Sequence, residues 1–352
     1  MKSSAIVLTH GMLSTDMAKT CHGLIRGTER FDIRAVIDFA HAGQDAGALL
    51  DGKARQIPIF ASVADFVSHT GNKINWCVVG VALPGGKLPE SFRAELLSAI
   101  HLGIGVVNGL HTLIADDPIF AEAARNAGVQ ILDIRRPRPA SSLRFWSGAI
   151  FEVKAPRIAV LGTDCALGKR TTCRFILEMC QSRGLRAEMI YTGQTGWMQG
   201  YRHGFIFDST LNDFISGEVE GAIVACDRES KPDLILIEGQ SALRNPSGPC
   251  GAEFLLSAQA KGVVLQHAPG RTYYEGTEAF HCKIPSIESE IALIRAYDAE
   301  VIAVTINEEN WTDDQLESYC KEKEASLRIP FVRPLKEGVD RIFPAIEAYL
   351  NA

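Results

Sequence analysis

Short apolar runs alternate along the chain with longer stretches whose apolar positions recur at helical spacing, the pattern of a parallel α/β sheet. Strands are expected at Ala5–Thr9, Ile33–Asp38, Ile57–Phe60, Trp76–Leu83, Gly105–Asn108 and Gln130–Asp133, with helices near Thr15–Arg26, Glu90–Leu102 and Pro118–Ala127. A second series follows: strands Arg157–Leu161, Ala187–Tyr191, Asp233–Ile237, Gly262–Gln266, Val301–Thr305 and Pro330–Val332, and helices Thr171–Arg183, Ser286–Ala296, Asp313–Lys323 and Val339–Leu350. Between the two series lies Arg135-Arg136-Pro137-Arg138-Pro139, too rich in proline for a regular helix or a central strand. This segment opens a linker and divides the chain into expected domains at 1–145 and 146–352. A length of 352 residues, at about 150 per domain, agrees with two.

Composition narrows the functional classes. The net charge is −6, with 46% hydrophobic and 22% charged residues, which excludes long disorder. No basic run offers a phosphate-tracking stripe, so nucleic acid is not an expected partner. The apolar runs are strand-length and fall short of the roughly 20 residues a bilayer span needs. Nine cysteines without a Cys-x-x-Cys pair read as reduced, mostly buried thiols, and no Cys/His spacing resembles a zinc quartet. Met1-Lys2-Ser3-Ser4 runs straight into a strand with no signal-peptide pattern, so a cytoplasmic location is expected. A symmetric homo-oligomer is the common state for such proteins, although no heptad seam marks an interface.

The strongest chemical signal follows Arg157–Leu161: Gly162-Thr163-Asp164-Cys165-Ala166-Leu167-Gly168-Lys169-Arg170-Thr171-Thr172. A strand, a glycine-bounded loop and a helix start place backbone N–H groups and a lysine around an anion. The bland reading is a glycine turn with a stray lysine. The loop resembles that of dethiobiotin synthetase, with its Gly-Thr-Asp-Thr-x-Val-Gly-Lys-Thr run. Tyr191-Thr192-Gly193-Gln194-Thr195-Gly196 and Ile235-Leu236-Ile237-Glu238-Gly239-Gln240 extend the likeness. In that class the acid after the strand helps hold Mg²⁺, which implies Mg-ATP chemistry as an alternative. One departure stands out. The residue after the loop lysine is Arg170 rather than the metal-binding Ser/Thr, with Thr171 displaced by one. A cation there repels a divalent metal and favours a ligand with several phosphate charges, such as coenzyme A.

Several motifs occur together: the loop above, Thr192-Gly193-Gln194-Thr195-Gly196, Asp208 with Asn212-Asp213-Phe214, Ile237-Glu238-Gly239-Gln240, Asn108-Gly109-Leu110-His111, and Gly80 through Pro84-Gly85-Gly86-Lys87. Over residues 5–345 the chain resembles a two-domain bacterial family that includes D-glutamate N-acetyltransferases. The resemblance implies a Rossmann-like doubly wound N-terminal domain followed by a P-loop NTPase-like α/β domain. It also implies acetyl-CoA as co-substrate, a small amino-acid acceptor such as D-glutamate, and a place in D-amino-acid catabolism.

Acyl transfer to an amine needs a proton acceptor and an anchor for the acceptor's carboxylates. Glu238 and His267 end expected strands, where open α/β sheets gather ligands, and are the first candidates for the base. Asp208 and Asp213 are further candidates, though an Asp at a helix start is commonly an N-cap. Arg271 is the expected carboxylate anchor, with Arg202 and Arg244 weaker and a solvated loop arginine as the plain alternative. Thr192, Gln194 and Gln240 are expected to help bind substrate. Cys165 invites an acyl-cysteine reading, but a small residue packed beneath the loop explains it more simply. The strand-end motifs of the first half, with His10-Gly11 and Lys19, would line a cleft between the domains or serve only as tight turns. A nucleotide-sensing binding protein remains the non-enzymatic reading of the same loop.

Overall fold

A computed structural model describes residues 2–71 and 73–352. The chain forms two compact units, Met1–Arg138 with Gln194–Tyr201, and Pro139–Gly193 with Arg202–Ala352. The first unit thus ends within the proline-rich segment, and residues 194–201, expected in the second half, fold with the first.

In the first unit six strands form one parallel sheet: β1 (Ser3–Leu8), β2 (Phe31–Ile37), β3 (Ile59–Phe60), β4 (Trp76–Val79), β5 (Gly105–Asn108) and β6 (Ile131–Asp133). Their order is β3-β2-β1-β4-β5-β6, which reverses direction between β1 and β4 as in a Rossmann sheet. Ala5, Ile6, Val7 and Leu8 are all fully buried because helices cover both faces. Side chains alternate across the strand: Ile6 and Leu8 join Phe66, Phe92 and Phe120, while Ala5 and Val7 join Cys21, Leu24 and Met198. Strand β4 stops at Val79, short of the expected Leu83.

Seven strands build the second unit: β7 (Arg157–Gly162), β8 (Ala187–Tyr191), β9 (His203–Gly204), β10 (Leu234–Glu238), β11 (Gly262–His267), β12 (Glu300–Ile306) and β13 (Phe331–Val332). They run parallel in the order β13-β12-β11-β7-β10-β8-β9. Strand β7 is central. Glu238 of β10 lies level with its Val160, and Gln266 of β11 with its Gly162. The loop after β7 therefore opens beside the ends of both neighbours.

The longest helix of this unit, Asn212–Ser230, escapes a hydrophobic-period reading. Its Glu218 and Glu220 are buried, which spoils the apolar stripe. They accept backbone N–H groups of the segment that opens the unit: Arg144 N to Glu218 (2.8 Å), and Ser147 N (2.7 Å) and Ile150 N (3.2 Å) to Glu220. Gly217 belongs to the same contact, since a Cβ there would stand 2.1 Å from the Arg144 carbonyl oxygen. No helix among the described residues is long and apolar enough to cross a membrane.

Candidate functional site

Strand β7 ends at Gly162 and helix Lys169–Ser182 begins seven residues later. Its N-cap is Gly168, at φ +100°, a conformation only glycine takes readily, and one with no side chain to offer the first-turn N–H groups. Those donors and the positive end of the helix dipole point at the loop. Lys169 is buried, and its Nζ donates to the Asp164 carbonyl at 2.6 Å, drawing the loop around the ammonium group.

Asp164 is the hub that shapes the loop. It is fully buried. Its Oδ1 accepts from Cys165 N (2.7 Å) and Asn245 Nδ2 (2.9 Å), and its Oδ2 from Arg271 Nη1 (2.8 Å) and Glu275 N (2.7 Å). Arg271 also donates to the Cys165 carbonyl (2.9 Å) and grips Glu309 through Nε (2.5 Å) and Nη2 (2.8 Å). Burial opposes its charge, but Glu309 and Asp164 outweigh that and hold the guanidinium still more firmly protonated. Arg271, expected as a carboxylate anchor, thus has its donors on two protein carboxylates and a loop carbonyl. The weaker alternatives are also paired, Arg202 with Glu229 at 2.6 Å and Arg244 with Glu290 at 2.8 Å.

On the β11 side, Thr163 Oγ1 lies 3.0 Å from His267 Nδ1, and Thr163 N donates to the Gln266 carbonyl at 3.0 Å. Burial pushes the His267 imidazole down to about 4, so it is neutral at pH 7. Gln266 Oε1 accepts from Thr172 (2.6 Å) and Thr305 (2.7 Å), fixing the first turn of the helix to the sheet. On the β10 side, Glu238 is buried and its Oε2 accepts from Thr192 N at 2.9 Å. Thr192 Oγ1 donates to the Glu238 carbonyl (2.8 Å) and accepts from Gln240 Nε2 (2.9 Å). Burial raises the Glu238 carboxyl above its ordinary range, against the opposing charge of Arg170, the Thr192 and Gly193 N–H groups and the charge of Lys169.

Thr192, Gln240, Glu238, His267 and Arg271 thus converge on one loop with Gly162–Thr172. Three other expected site residues lie elsewhere. Gln194 is buried in the first unit, where a Cβ on Gly109 would meet its Cγ at 2.8 Å. Asp208 is exposed on the turn Phe207–Ser209, beside Phe207, whose N–H donates to the Thr192 carbonyl at 2.9 Å. Asp213 is exposed in the first turn of helix Asn212–Ser230 and lines a surface groove with Phe145 and Trp146. Neither caps that helix, whose N-cap is Leu211. In the first unit, the Gly86 carbonyl accepts from His111 N (2.8 Å) and Thr112 N (3.1 Å), so those two motifs lock one turn against another.

Asn245, Glu275 and Glu309 complete the site but carry no motif. Their one signal is position: each follows the end of β10, β11 or β12. Cys165 is half-buried, with its Sγ 3.3 Å from Ser241 Oγ and 3.6 Å from Asn245 Nδ2. Arg170 follows the loop lysine in sequence and its charge acts on Glu238, while Asp164 already accepts four bonds. Among the described residues, no cluster of three or more His, Cys, Asp or Glu side chains has the geometry to hold a metal ion.

A Rossmann-like unit joined to a unit whose P-loop carries a second cation in place of the metal-binding hydroxyl defines a distinct class of two-domain α/β proteins. The chain belongs to the DUF1611 family. Residues 144–343 match its P-loop domain and residues 39–137 its N-terminal Rossmann-like domain, both described as domains of unknown function. Two relatives named D-glutamate N-acetyltransferase, from Tritonibacter scottomollicae and Pseudoalteromonas sp, are each 29% identical, over 278 and 272 residues. The alignments cover 77% and 75% of this chain and 80% and 79% of the relatives. The crystal structure of a DUF1611 family protein from Anabaena variabilis is similar over 99% of this chain and 100% of that one, with TM-score 0.86 and 28% identity.

Proposed function

We propose that the chain is an N-acetyltransferase that moves the acetyl group of acetyl-CoA to the amine of D-glutamate or a related D-amino acid in the cytoplasm, within D-amino-acid catabolism. The names of the two relatives support the reaction class. The observation that carries the donor is Arg170, a second cation beside Lys169 whose charge reaches the buried Glu238. Two adjacent cations at a helix start suit the pyrophosphate and 3′-phosphate of CoA without a bridging metal.

Phosphates bound in the loop place the thioester well away from it. The pantetheine arm is about four residue lengths of extended chain, so an extended arm carries the acetyl carbon up to roughly 13 Å from the loop. Glu238, His267 and Cys165 then order the loop and its counter-charges, and transfer is direct, without an acyl-cysteine. The test is to incubate the protein with D-glutamate and acetyl-CoA in EDTA and follow free thiol, and in parallel to supply Mg-ATP and follow ADP. Thiol release dependent on D-glutamate is expected. ADP release dependent on an acid, as in a carboxylate-activating ligase, overturns the reading. Arg170→Thr should weaken CoA binding about tenfold, the loss of one charge-assisted contact; unchanged affinity would refute the role given to that cation.

A further inference from the structure

The second unit displays an aromatic surface on the segment that opens it. Phe145, Trp146, Phe151 and Leu256, with Asp213 and Ser216, line a groove of about 440 Å³. Phe145 is 71% exposed, Phe151 68%, Leu256 51% and Trp146 38%. An aromatic side chain offers about 150–250 Å², so these four leave roughly 400 Å² of apolar surface bare. Single exposed apolar residues need no account, but a contiguous patch of this size marks an interaction site.

The rings stand on a rigid base. Glu218 and Glu220, buried within helix Asn212–Ser230, accept Arg144 N, Ser147 N and Ile150 N, and Glu220 also accepts Ser147 Oγ at 2.8 Å. Gly217 and Gly221 let the segment lie directly on the helix, since a Cβ on Gly221 would stand 2.3 Å from Arg144 Nη1. Trp146 Nε1 donates to the Ser257 carbonyl at 3.3 Å, and its ring meets Phe151 edge to face at 5.9 Å. Phe145 meets Phe214 in the same manner at 6.2 Å. Side chains held in place before contact lose little entropy when a partner covers them, as interface anchors do.

Area and charge select the occupant. A standard interface buries about 800 Å² per partner, of which about 57% is apolar, so the patch supplies the apolar share of one such face. Phe145 also walls a second, polar groove that includes Arg144 and Arg228, and is therefore both a ridge and a groove wall. Glu152 follows Phe151 and lies 4.0 Å from Arg228. With Asp213, exposed charges of both signs border the rings. A nucleic acid or an anionic lipid surface would match only the arginines, whereas a face turned on itself by a two-fold axis meets its opposite charges. We propose that the chain forms a two-fold symmetric dimer through this face, with Phe145 and Phe151 of each copy packed into the aromatic groove of the other.

Sedimentation equilibrium of the full chain tests this, with a dimer of 76.6 kDa (twice 38.3 kDa) expected at micromolar concentration. Each anchor occurs twice in a two-fold interface, so Phe145→Asp and Phe151→Asp should each raise the dimer dissociation constant by about a thousandfold. Both rings are exposed, and the far-UV circular dichroism should stay that of the wild type. Phe145→Ser and Phe151→Ser give the same readout without an introduced charge. Phe280→Asp, at an exposed ring outside both grooves, should leave the dimer intact. A wild-type chain that is still monomeric at about 100 µM overturns the proposal and leaves the face to a different partner. A dimer that survives the Phe145 and Phe151 variants, or that Phe280→Asp disrupts equally, overturns it too.

Discussion

Asp164 and Arg271 are 107 residues apart, and neither would be recognised from sequence as the other's partner. Asp164 stands inside a motif that reads as phosphate-binding, yet its oxygens face the protein and shape the loop from behind. Asp164→Ala leaves Arg271 with Glu309 and the Cys165 carbonyl and removes the acceptor of the Cys165 and Glu275 N–H groups. Breaking a buried pair costs about 3 kcal/mol, or about 6–12 °C in the thermal midpoint of a unit this size. A melt within 2 °C of wild type would show the hub to be dispensable. His267 gives a pH signature. Its unfolded value is near 6.5 and its folded value about 4, so between those limits only the unfolded chain gains the proton. The stability it contributes is full above pH 6.5 and drains as pH falls to 4, by about 3 kcal/mol in all. Glu238 runs the other way, since its raised pKa favours the folded state at low pH. His267→Gln should therefore flatten the acid limb of thermal midpoint against pH between 6.5 and 4.5; an unchanged limb would show that His267 is not the group responsible. The loop, Glu238 and His267 were legible because each sits at the end of an apolar run. Their partners were not, because a lone Glu309 or Asn245 in a loop looks like any solvated polar residue.

Among the elements, short mostly apolar strands emerge from sequence at their observed bounds, as for Gly105–Asn108 and Ala187–Tyr191. Their two covered faces favour apolar side chains at most positions. Short helices were not legible. Ala46–Asp51 and Val63–Thr70 hold too few turns to display a period, and Asn212–Ser230 buries two glutamates. The helix Gln194–Gln199 is the most instructive case. Its sequence resembles a continuation of the P-loop motifs, yet Met198 joins the first unit's core, and Thr28 Oγ1 donates to the Met198 carbonyl at 2.8 Å. Gln199 is buried and its Nε2 donates to the carbonyls of Gly23 (2.9 Å) and Gly27 (3.1 Å), capping the end of helix Lys19–Arg26. Gln199→Ala removes both bonds and should cost about 1–3 kcal/mol. Hydrogen exchange at helix Lys19–Arg26 checks this: faster exchange there is the expected result, and wild-type protection would mean the two bonds contribute little.

At the scale of the whole molecule, the chain passes between its units at 138/139, 193/194 and 201/202. Residues 194–201 fold in the first unit while both flanking segments fold in the second, so unfolding of the first unit releases a segment that the second unit's chain carries. This couples two sheets that would otherwise melt independently and predicts one calorimetric transition rather than two. The molecule's net charge of −6 cannot attract a polyanion at long range. On the proposed reading, affinity for acetyl-CoA comes from Lys169, Arg170 and the helix start at contact distance, where screening by salt is weak. A ligand that binds only the folded state at one hundred times its Kd adds about 2.7 kcal/mol. Spread over one transition of all 352 residues, at about 2.1 cal/mol/K per residue, the midpoint should rise by about 3–4 °C. The coupling requires the whole transition to move, and the metal-free site requires the same shift in EDTA as in Mg²⁺. Scanning calorimetry with acetyl-CoA under both conditions decides each point separately. A split transition with one half shifted would remove the coupling, and a shift seen only with Mg²⁺ would restore the metal to the P-loop.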